Sequence, residues 1–127
     1  LSVEDLRPYD FIVREPGSGT RVAMEKFFAE ARVEPRLHMQ LHSNETLKQA
    51  VMAGLGLGFV SLHTIGLELS QGLIALLDVE GAPVVRAWNV VHTQSKMLSP
   101  AAESFRYFML ELGEKQLADQ FGRFLPI

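Results

Sequence analysis

Residues 15 to 21 combine glycines, hydroxyl side chains and an arginine in a pattern that could bind an anion. The glycines allow backbone N–H groups to approach a ligand closely, and the start of a helix contributes a partial positive charge. Arg21 adds a full charge. A capped loop that binds nothing is an equal alternative on this segment alone, and the phosphate-binding pattern G-x-x-x-x-G-K-[ST] is absent. The candidate residues are Glu15, Pro16, Gly17, Ser18, Gly19, Thr20 and Arg21.

A second glycine-rich stretch, Gly54 to Gly58, has some likeness to the motif that binds dinucleotides. In that motif the glycines join a strand to the following helix, whereas here they join a predicted helix to a predicted strand. We therefore interpret Gly54 as the residue that ends the helix, and the other glycines as positions of close packing.

The histidines indicate neither a metal site nor a catalytic one. His38 and His42 are four residues apart on a predicted strand, which separates them by roughly 13 Å, too far to share one ion. Ser61 and His63 lack the G-x-S-x-G context of a hydrolase, and capping of the next helix is the simpler role for Ser61. The acidic residues are scattered without a clear catalytic pair. The sequence thus predicts no enzymatic activity, no metal and no cofactor.

Strand and helix patterns alternate along the chain. Met24, Phe27 and Phe28 have the spacing of one helix face, and Pro35 ends that helix. Strands are predicted at residues 11–13, 37–41, 55–60, 73–79 and 84–93. Helices are predicted from the loop at 18–20 to Pro35, from Ser43-Asn44 to Gly54, over residues 61–70, and from Ser99-Pro100 onward.

This order predicts an α/β fold, a mostly parallel sheet with helices on both faces. In such sheets ligands bind at the carboxyl ends of the strands. Three polar segments follow predicted strands there, at residues 14–21, 43–45 and 61–64, and each opens a helix. Ser43, Asn44 and Ser61 therefore join the candidate binding site.

Composition narrows the classes of function. The chain has 127 residues, a net charge of −3, a pI of about 5.8 and no cysteine. Affinity for DNA depends on clusters of Lys and Arg, so we expect any DNA binding to reside in another segment of a longer protein. No apolar run approaches the roughly 20 residues of a membrane span, and the N-terminus lacks the apolar part of a signal peptide. These features predict a cytoplasmic protein without membrane contact.

Four segments combine into a pattern larger than any single motif: residues 11–21, 43–45, 51–58 and 99–102. In order and spacing they resemble the effector-binding domain of LysR-type transcriptional regulators, over residues 1 to about 112. Residues 14–21, together with Ser61-x-His63-Thr64-Ile65, are most similar to the subgroup that controls Calvin-cycle carbon-fixation genes.

The resemblance implies a periplasmic-binding-protein-like fold of type II, in which two α/β lobes hold an effector between them. Residues 1–82 would form most of the second lobe, residues 83–112 a strand and a helix that cross back to the first lobe, and residues 113–127 a C-terminal tail. The DNA-binding domain and most of the first lobe would be missing from this chain. In the family, the loop that matches Ser18 to Arg21 lines the effector site.

The resemblance also implies a small anionic effector, either a phosphorylated metabolite or a reduced nicotinamide nucleotide. It implies a homo-oligomer that contacts DNA only through the missing N-terminal domain. The predicted function is therefore ligand sensing in a LysR-type regulator of carbon-fixation genes. Two alternatives stay open: a solute-binding protein of the same fold, which needs an export signal, and an α/β enzyme domain, which needs a catalytic constellation.

Residues 84–112 lead to a last expectation. The strand predicted at 84–93 carries Trp88, and the following helix carries Phe105, Phe108 and Met109 on one face. Such side chains need a partner surface, since burying each is worth about 1.5–3 kcal/mol. If most of the first lobe is absent, this segment folds back on its own lobe or exchanges with another chain, and we expect exchange or a dimer.

Overall fold

The sheet contains three parallel strands in the order β2-β1-β3. The computed structural model describes residues 1–121, with β1 at Asp10–Arg14, β2 at Arg36–Leu41 and β3 at Leu57–Gly58. The residues of β1 from Phe11 to Val13 are buried, because this central strand is covered on both faces. The predicted α/β fold with a parallel sheet is confirmed.

Helix α1, Gly19–Glu30, covers one face of the sheet. Phe11 and Val13, alternate residues of β1, point to this face and pack with Met24 and Phe28. The rings of Phe11 and Phe28 meet edge to face with centroids 5.2 Å apart. Since each such buried side chain stabilises the fold by about 1.5–3 kcal/mol, this cluster anchors α1 and determines where its first turn lies.

Helix α2, Asn44–Met52, covers the opposite face. Ile12 is fully buried there against Leu47 and Ala50. Gly58 lets the helix approach β3 closely, because a Cβ at that position would lie 2.9 Å from side-chain atoms of Leu47 and Val51. The predicted placement of helices on both faces is thus confirmed, as is the predicted close packing at Gly58.

The helix ends follow local sequence signals. The Ser43 hydroxyl accepts a hydrogen bond of 3.1 Å from the backbone N–H two residues on, which caps α2. Gly54 follows α2 with a φ of +76°, in the left-handed region that glycine tolerates. Helix α4, Pro100–Glu111, begins with the predicted serine cap and a proline in its first turn.

Two predicted strands are wrong: residues 73–79 and 84–93 form no regular secondary structure. A strand persists only where a neighbouring strand completes its backbone hydrogen bonds, and neither segment pairs with the three described strands. Val79 is buried in the cluster beneath α1, while Asp78 and Glu80 form backbone hydrogen bonds with Leu1. Val85, by contrast, is 89% exposed, so the alternating pattern that predicted a strand has no sheet to cover it.

Two other predicted elements differ in extent. β3 has two residues instead of the six predicted at 55–60. The single helix predicted over residues 61–70 is a 3₁₀ turn, Leu62–Thr64, followed by the short helix α3, Gly66–Ser70. Ile65 separates them with a φ of −120°, and its side chain is buried. Burial of this side chain fixes the break between the two elements.

The chain divides into two compact units, residues 1–84 and the chain from Val85 onward. The first holds the sheet with α1 to α3. The second holds α4 and α5, Gly113–Phe121, which contact each other, and α4 leaves Phe105 and Tyr107 exposed. The division into a second lobe (1–82), a crossing segment (83–112) and a tail (113–127) stays a prediction, and residues 122–127 of that tail lie outside the described residues. No helix within residues 1–121 combines the length and the apolar character that crossing a bilayer requires.

Candidate functional site

The strand order defines a topological switch point at the carboxyl edge of the sheet, where sheets of this kind form a crevice. From β1 the chain passes through α1 to β2 on one side, and from β2 it passes through α2 to β3 on the other side of β1. In sheets of this kind the ligand lies where the connections diverge, outside the carboxyl ends of the two strands concerned. Here those strands are β1 and β3, and the loops that follow them are residues 15–18 and 59–61.

The loop after β1 turns sharply into α1. The N–H of Ser18 donates to the carbonyl of Glu15 at 3.2 Å, and Gly17 has a φ of +87°. Ser18 occupies the N-cap position of α1, although its hydroxyl accepts no hydrogen bond from the helix. Thr20 lies inside the first turn. The first intrahelical bond joins Val22 N–H to Ser18 O at 3.0 Å, which leaves the N–H groups of Thr20 and Arg21 directed out of the helix end.

Arg21 lies at this helix end, but its charge is already paired. Its Nε donates to the Glu25 carboxylate at 2.6 Å, and its Nη1 lies 3.3 Å from the carbonyl oxygen of Arg14. The Arg21 side chain is 11% exposed, whereas that of Glu25 is 56% exposed. An anion that binds Arg21 must therefore compete with a carboxylate that water already solvates well.

A second ion pair, between Arg14 and Glu15, connects Glu15 to Asn44, another of the predicted site residues. Arg14 donates to both carboxylate oxygens of Glu15, at 2.7 and 2.9 Å, and its Nη1 also donates to Oδ1 of Asn44. These bonds from Arg14 are the main cause that lowers the pKa of Glu15 to about 2, and the same contact raises the pKa of Arg14. The structure thus brings Glu15 and Asn44 together through Arg14, a residue that sequence reasoning left out of the site.

Ser61 lies in the loop after β3 and does not cap the next helix with its side chain. Its Oγ lies 3.4 Å from Nδ1 of His63, at the outer limit of a hydrogen bond. Its carbonyl oxygen accepts two hydrogen bonds from Thr64, one from the backbone at 3.0 Å and one from Oγ1 at 2.7 Å. Ser61 thus occupies an N-cap position, as predicted, but it caps a tight 3₁₀ turn and is bonded there through its carbonyl oxygen and not through its side chain.

Lys48 is a buried charge that sequence reasoning missed. It lies on α2 with a side chain that is 7% exposed, and its Nζ is 2.7 Å from Glu45 and 2.8 Å from Glu68 of α3. A third bond runs to the carbonyl oxygen of Thr64 at 3.1 Å. The hydrogen bonds that Lys48 donates to Glu45, and second to Glu68, raise the pKa of Lys48, and the bond from Lys48 lowers the pKa of Glu68.

The other predicted residues have structural roles in the site. Pro16 and Gly17 form the exposed turn before α1, and Gly19 begins the helix. The Ser43 hydroxyl is engaged in capping α2. A shallow depression near Val3 and Phe27 lies at the opposite edge of the sheet, where the strands begin, so it is separate from this site. Among residues 1–121 no three metal-ligating side chains cluster together.

This sheet, with a helix that begins beside a paired arginine at its switch point, has the architecture of a small-molecule binding domain. The family described as the LysR substrate binding domain matches residues 1–114. The chain belongs to the LysR substrate-binding domain family, as the sequence resemblance predicted.

Curated relatives support the predicted subgroup. The chain is 49% identical over 126 residues to the HTH-type transcriptional regulator CfxR of Cupriavidus necator, covering 99% of this chain and 40% of the relative. It is 52% identical over 110 residues to the RuBisCO operon transcriptional regulator of Allochromatium vinosum, covering 87% of this chain and 36% of that relative. The chain therefore spans about two fifths of the length of these relatives. The predicted likeness to regulators of carbon-fixation genes is confirmed.

Solved structures agree on the fold. The CcmR regulatory domain of Synechocystis PCC6803, solved in complex with 2-PG (2-phosphoglycolate), superposes on this chain with a TM-score of 0.80 at 33% identity. The superposition covers 88% of this chain and 54% of the CcmR chain. The effector binding domain of QuiR in complex with shikimate superposes with a TM-score of 0.68 at 19% identity, over 90% and 53%. The second likeness concerns the fold alone. Both are effector-binding domains of the predicted periplasmic-binding-protein-like class.

Proposed function

We propose that this domain binds a small phosphorylated metabolite, of the kind represented by 2-phosphoglycolate, at the carboxyl edge of its sheet. In this proposal the domain senses the metabolite for a regulator of carbon-fixation genes and catalyses no reaction. The observation that carries it is the start of α1 at the switch point, beside Arg21 and Arg14, in a domain with the fold of a 33% identical neighbour solved with 2-PG.

The residues of the loop have different roles in this proposed anion site. The N–H groups of Thr20 and Arg21 would donate hydrogen bonds to the phosphate oxygens, and the partial positive charge of the helix end would favour the anion. The hydroxyl groups of Ser18 and Thr20 would add hydrogen bonds, since Ser18 is not engaged in capping. Glu15, Pro16, Gly17 and Gly19 would give the loop its shape, with Ser43, Asn44 and Ser61 bordering the crevice.

Charge favours a phosphate over a single carboxylate. Arg21 and Arg14 are each paired with a glutamate. A ligand therefore binds an arginine with net favourable free energy only if it interacts with the guanidinium more strongly than that glutamate does. A phosphate with two negative charges and several acceptor oxygens meets this condition better than a monocarboxylate, because it accepts bonds from the backbone and from arginine together. A reduced nicotinamide nucleotide also carries phosphates and remains the competing ligand.

Calorimetric titration of the full-length protein tests the proposal. We expect saturable binding of 2-phosphoglycolate and no binding of shikimate at the same concentration. NADPH serves as the second phosphorylated ligand and decides between the two effector classes. If no phosphorylated ligand binds while the protein remains folded by circular dichroism, the proposed function is refuted.

The remaining features of the proposal concern the whole protein. We propose a homo-oligomer in the cytoplasm that contacts DNA through a segment other than this chain, with no membrane contact. The net charge of −3 supports the separate DNA-binding segment, because phosphate neutralisation requires a surplus of Lys and Arg. The relatives that carry the name of HTH-type regulators support the same division.

A further inference from the structure

Helix α2 makes polar contacts both with the end of β1 and with the 3₁₀ turn that follows the β3 loop. Asn44, its first residue, accepts a hydrogen bond from Arg14 at the end of β1. One turn later, Lys48 donates to the carbonyl of Thr64, in the turn that follows β3. The two contacts lie on the same helix, so α2 connects the end of β1 to the turn after β3 through polar contacts as well as through packing.

The contact at Lys48 continues to Ser61 through Thr64. Lys48 donates to Thr64 O at 3.1 Å, and Thr64 donates twice to Ser61 O, from its backbone and from its hydroxyl. The Ser61 Oγ lies 3.4 Å from Nδ1 of His63 and, among the described residues, forms no hydrogen bond with α2. The position of Ser61 at the crevice therefore depends on this chain of hydrogen bonds.

The surroundings of Lys48 hold it in one place. Glu68 is 10% exposed, and one of its carboxylate oxygens is buried with no hydrogen-bond partner among the described residues. Removing a charge from such a pair leaves the other one buried and unpaired, which is unfavourable. The ammonium has three acceptors and donates one bond to each, so its full donor capacity is used.

We propose that Lys48 is a positioning residue of the effector site, which holds Ser61 in place through Thr64. The inference rests on the proposed function, since it states how Ser61, on the β3 side of that site, is held in position relative to the residues that follow β1. It assigns Lys48 no contact with the effector.

The main test removes the ion pair without leaving a buried charge. The double variant Lys48→Met with Glu68→Leu replaces both partners by apolar side chains of similar volume, a change that is often neutral for stability. We expect thermal unfolding close to that of the unaltered protein. Hydrogen exchange in a peptide covering residues 59–66 should become at least about tenfold faster, because the turn opens locally. Affinity for 2-phosphoglycolate should fall about tenfold, as expected for the loss of one well-placed hydrogen bond.

Two single variants make the test independent of how the double variant folds. Thr64→Val removes only the hydroxyl that donates to Ser61 and should weaken 2-phosphoglycolate binding while leaving the Lys48 pair intact. Glu45→Gln alters the 72% exposed partner of Lys48 and serves as the matched control, with exchange and affinity unchanged. If the double variant does not fold, Thr64→Val tests the link from Thr64 to Ser61, and unchanged affinity in that variant overturns the positioning role of Lys48.

The outcomes separate the inference from the proposed function. Unchanged exchange in residues 59–66, or faster exchange with unchanged affinity, overturns the positioning role of Lys48. Absence of 2-phosphoglycolate and NADPH binding to the unaltered, folded protein instead overturns the proposed function. In that case the exchange data still decide whether Lys48 holds the turn.

Discussion

Replacing Arg21 by alanine is the sharpest test of the anion site. The change removes a guanidinium that lies at the start of α1 and within 3.3 Å of the Arg14 carbonyl. We expect weaker binding of 2-phosphoglycolate by about 1.5–3 kcal/mol, the range for a hydrogen bond between charged groups. That range corresponds to a dissociation constant that is roughly 10 to 150 times higher.

The same change should cost little stability. Arg21 and Glu25 form a pair four residues apart on one helix, and Glu25 is well exposed, so the pair contributes about 0.3–0.5 kcal/mol. The loss in binding thus exceeds the loss in folding several times over. Calorimetry gives the first quantity and urea denaturation the second.

Lys26→Ala provides the matched control, because Lys26 and Glu30 form another pair four residues apart on α1. Both side chains are exposed and lie toward the other end of the helix. Lys26→Ala should change stability about as little as Arg21→Ala and leave effector binding unchanged. If the two variants bind 2-phosphoglycolate equally well, Arg21 has no place in the site.

Three further predictions concern stability and association. Since the folded-state pKa of Glu15 is about 2 against an ordinary 4.5, its pairing with Arg14 stabilises the fold above pH 4.5 and that contribution is lost as the pH falls toward 2. Glu15→Gln should therefore flatten the acid limb of a pH–stability curve measured by urea denaturation, and an unaltered limb would contradict the pairing. Gly56→Ala places a Cβ 2.5 Å from the carbonyl oxygen of Asp10, so it should lower the free energy of unfolding by about 1–3 kcal/mol, and full stability in denaturant would refute this. Finally, exposed Phe105 and Phe108 on α4 should make this chain self-associate at micromolar concentration, and Phe105→Ser should reduce it; a monomer by sedimentation velocity would contradict the expectation.

Local patterns were sufficient to predict β1, α1, β2 and α2. The apolar run at Phe11–Val13 and the helical spacing of Met24 and Phe28 each reflect contacts that the final fold makes. The caps at Ser43 and Ser99 follow from hydrogen bonds within three residues of sequence, which is why sequence alone predicts them.

The incorrect or missing predictions concern residues whose partners are distant in sequence. An alternating pattern at 84–93 indicates a strand, but a strand also requires a neighbour, and sequence does not say whether one is present. Lys48 was missed because lysine is almost always exposed, and only the approach of Glu68 and Thr64 makes its burial favourable. Arg14 was missed for a similar reason, since its bond to Asn44 joins residues thirty positions apart.

The pairing of Arg21 with Glu25 bears on the metabolite concentration at which such a sensor responds. Under the proposed function, Glu25 acts as an internal competitor, so its strength sets the half-saturation point of the domain. A helix pair four residues apart is worth about 0.3–0.5 kcal/mol, which corresponds to a shift of roughly twofold in that concentration. Substitutions at position 25 could therefore tune the response threshold of a regulator in small steps, without altering any group that contacts the metabolite.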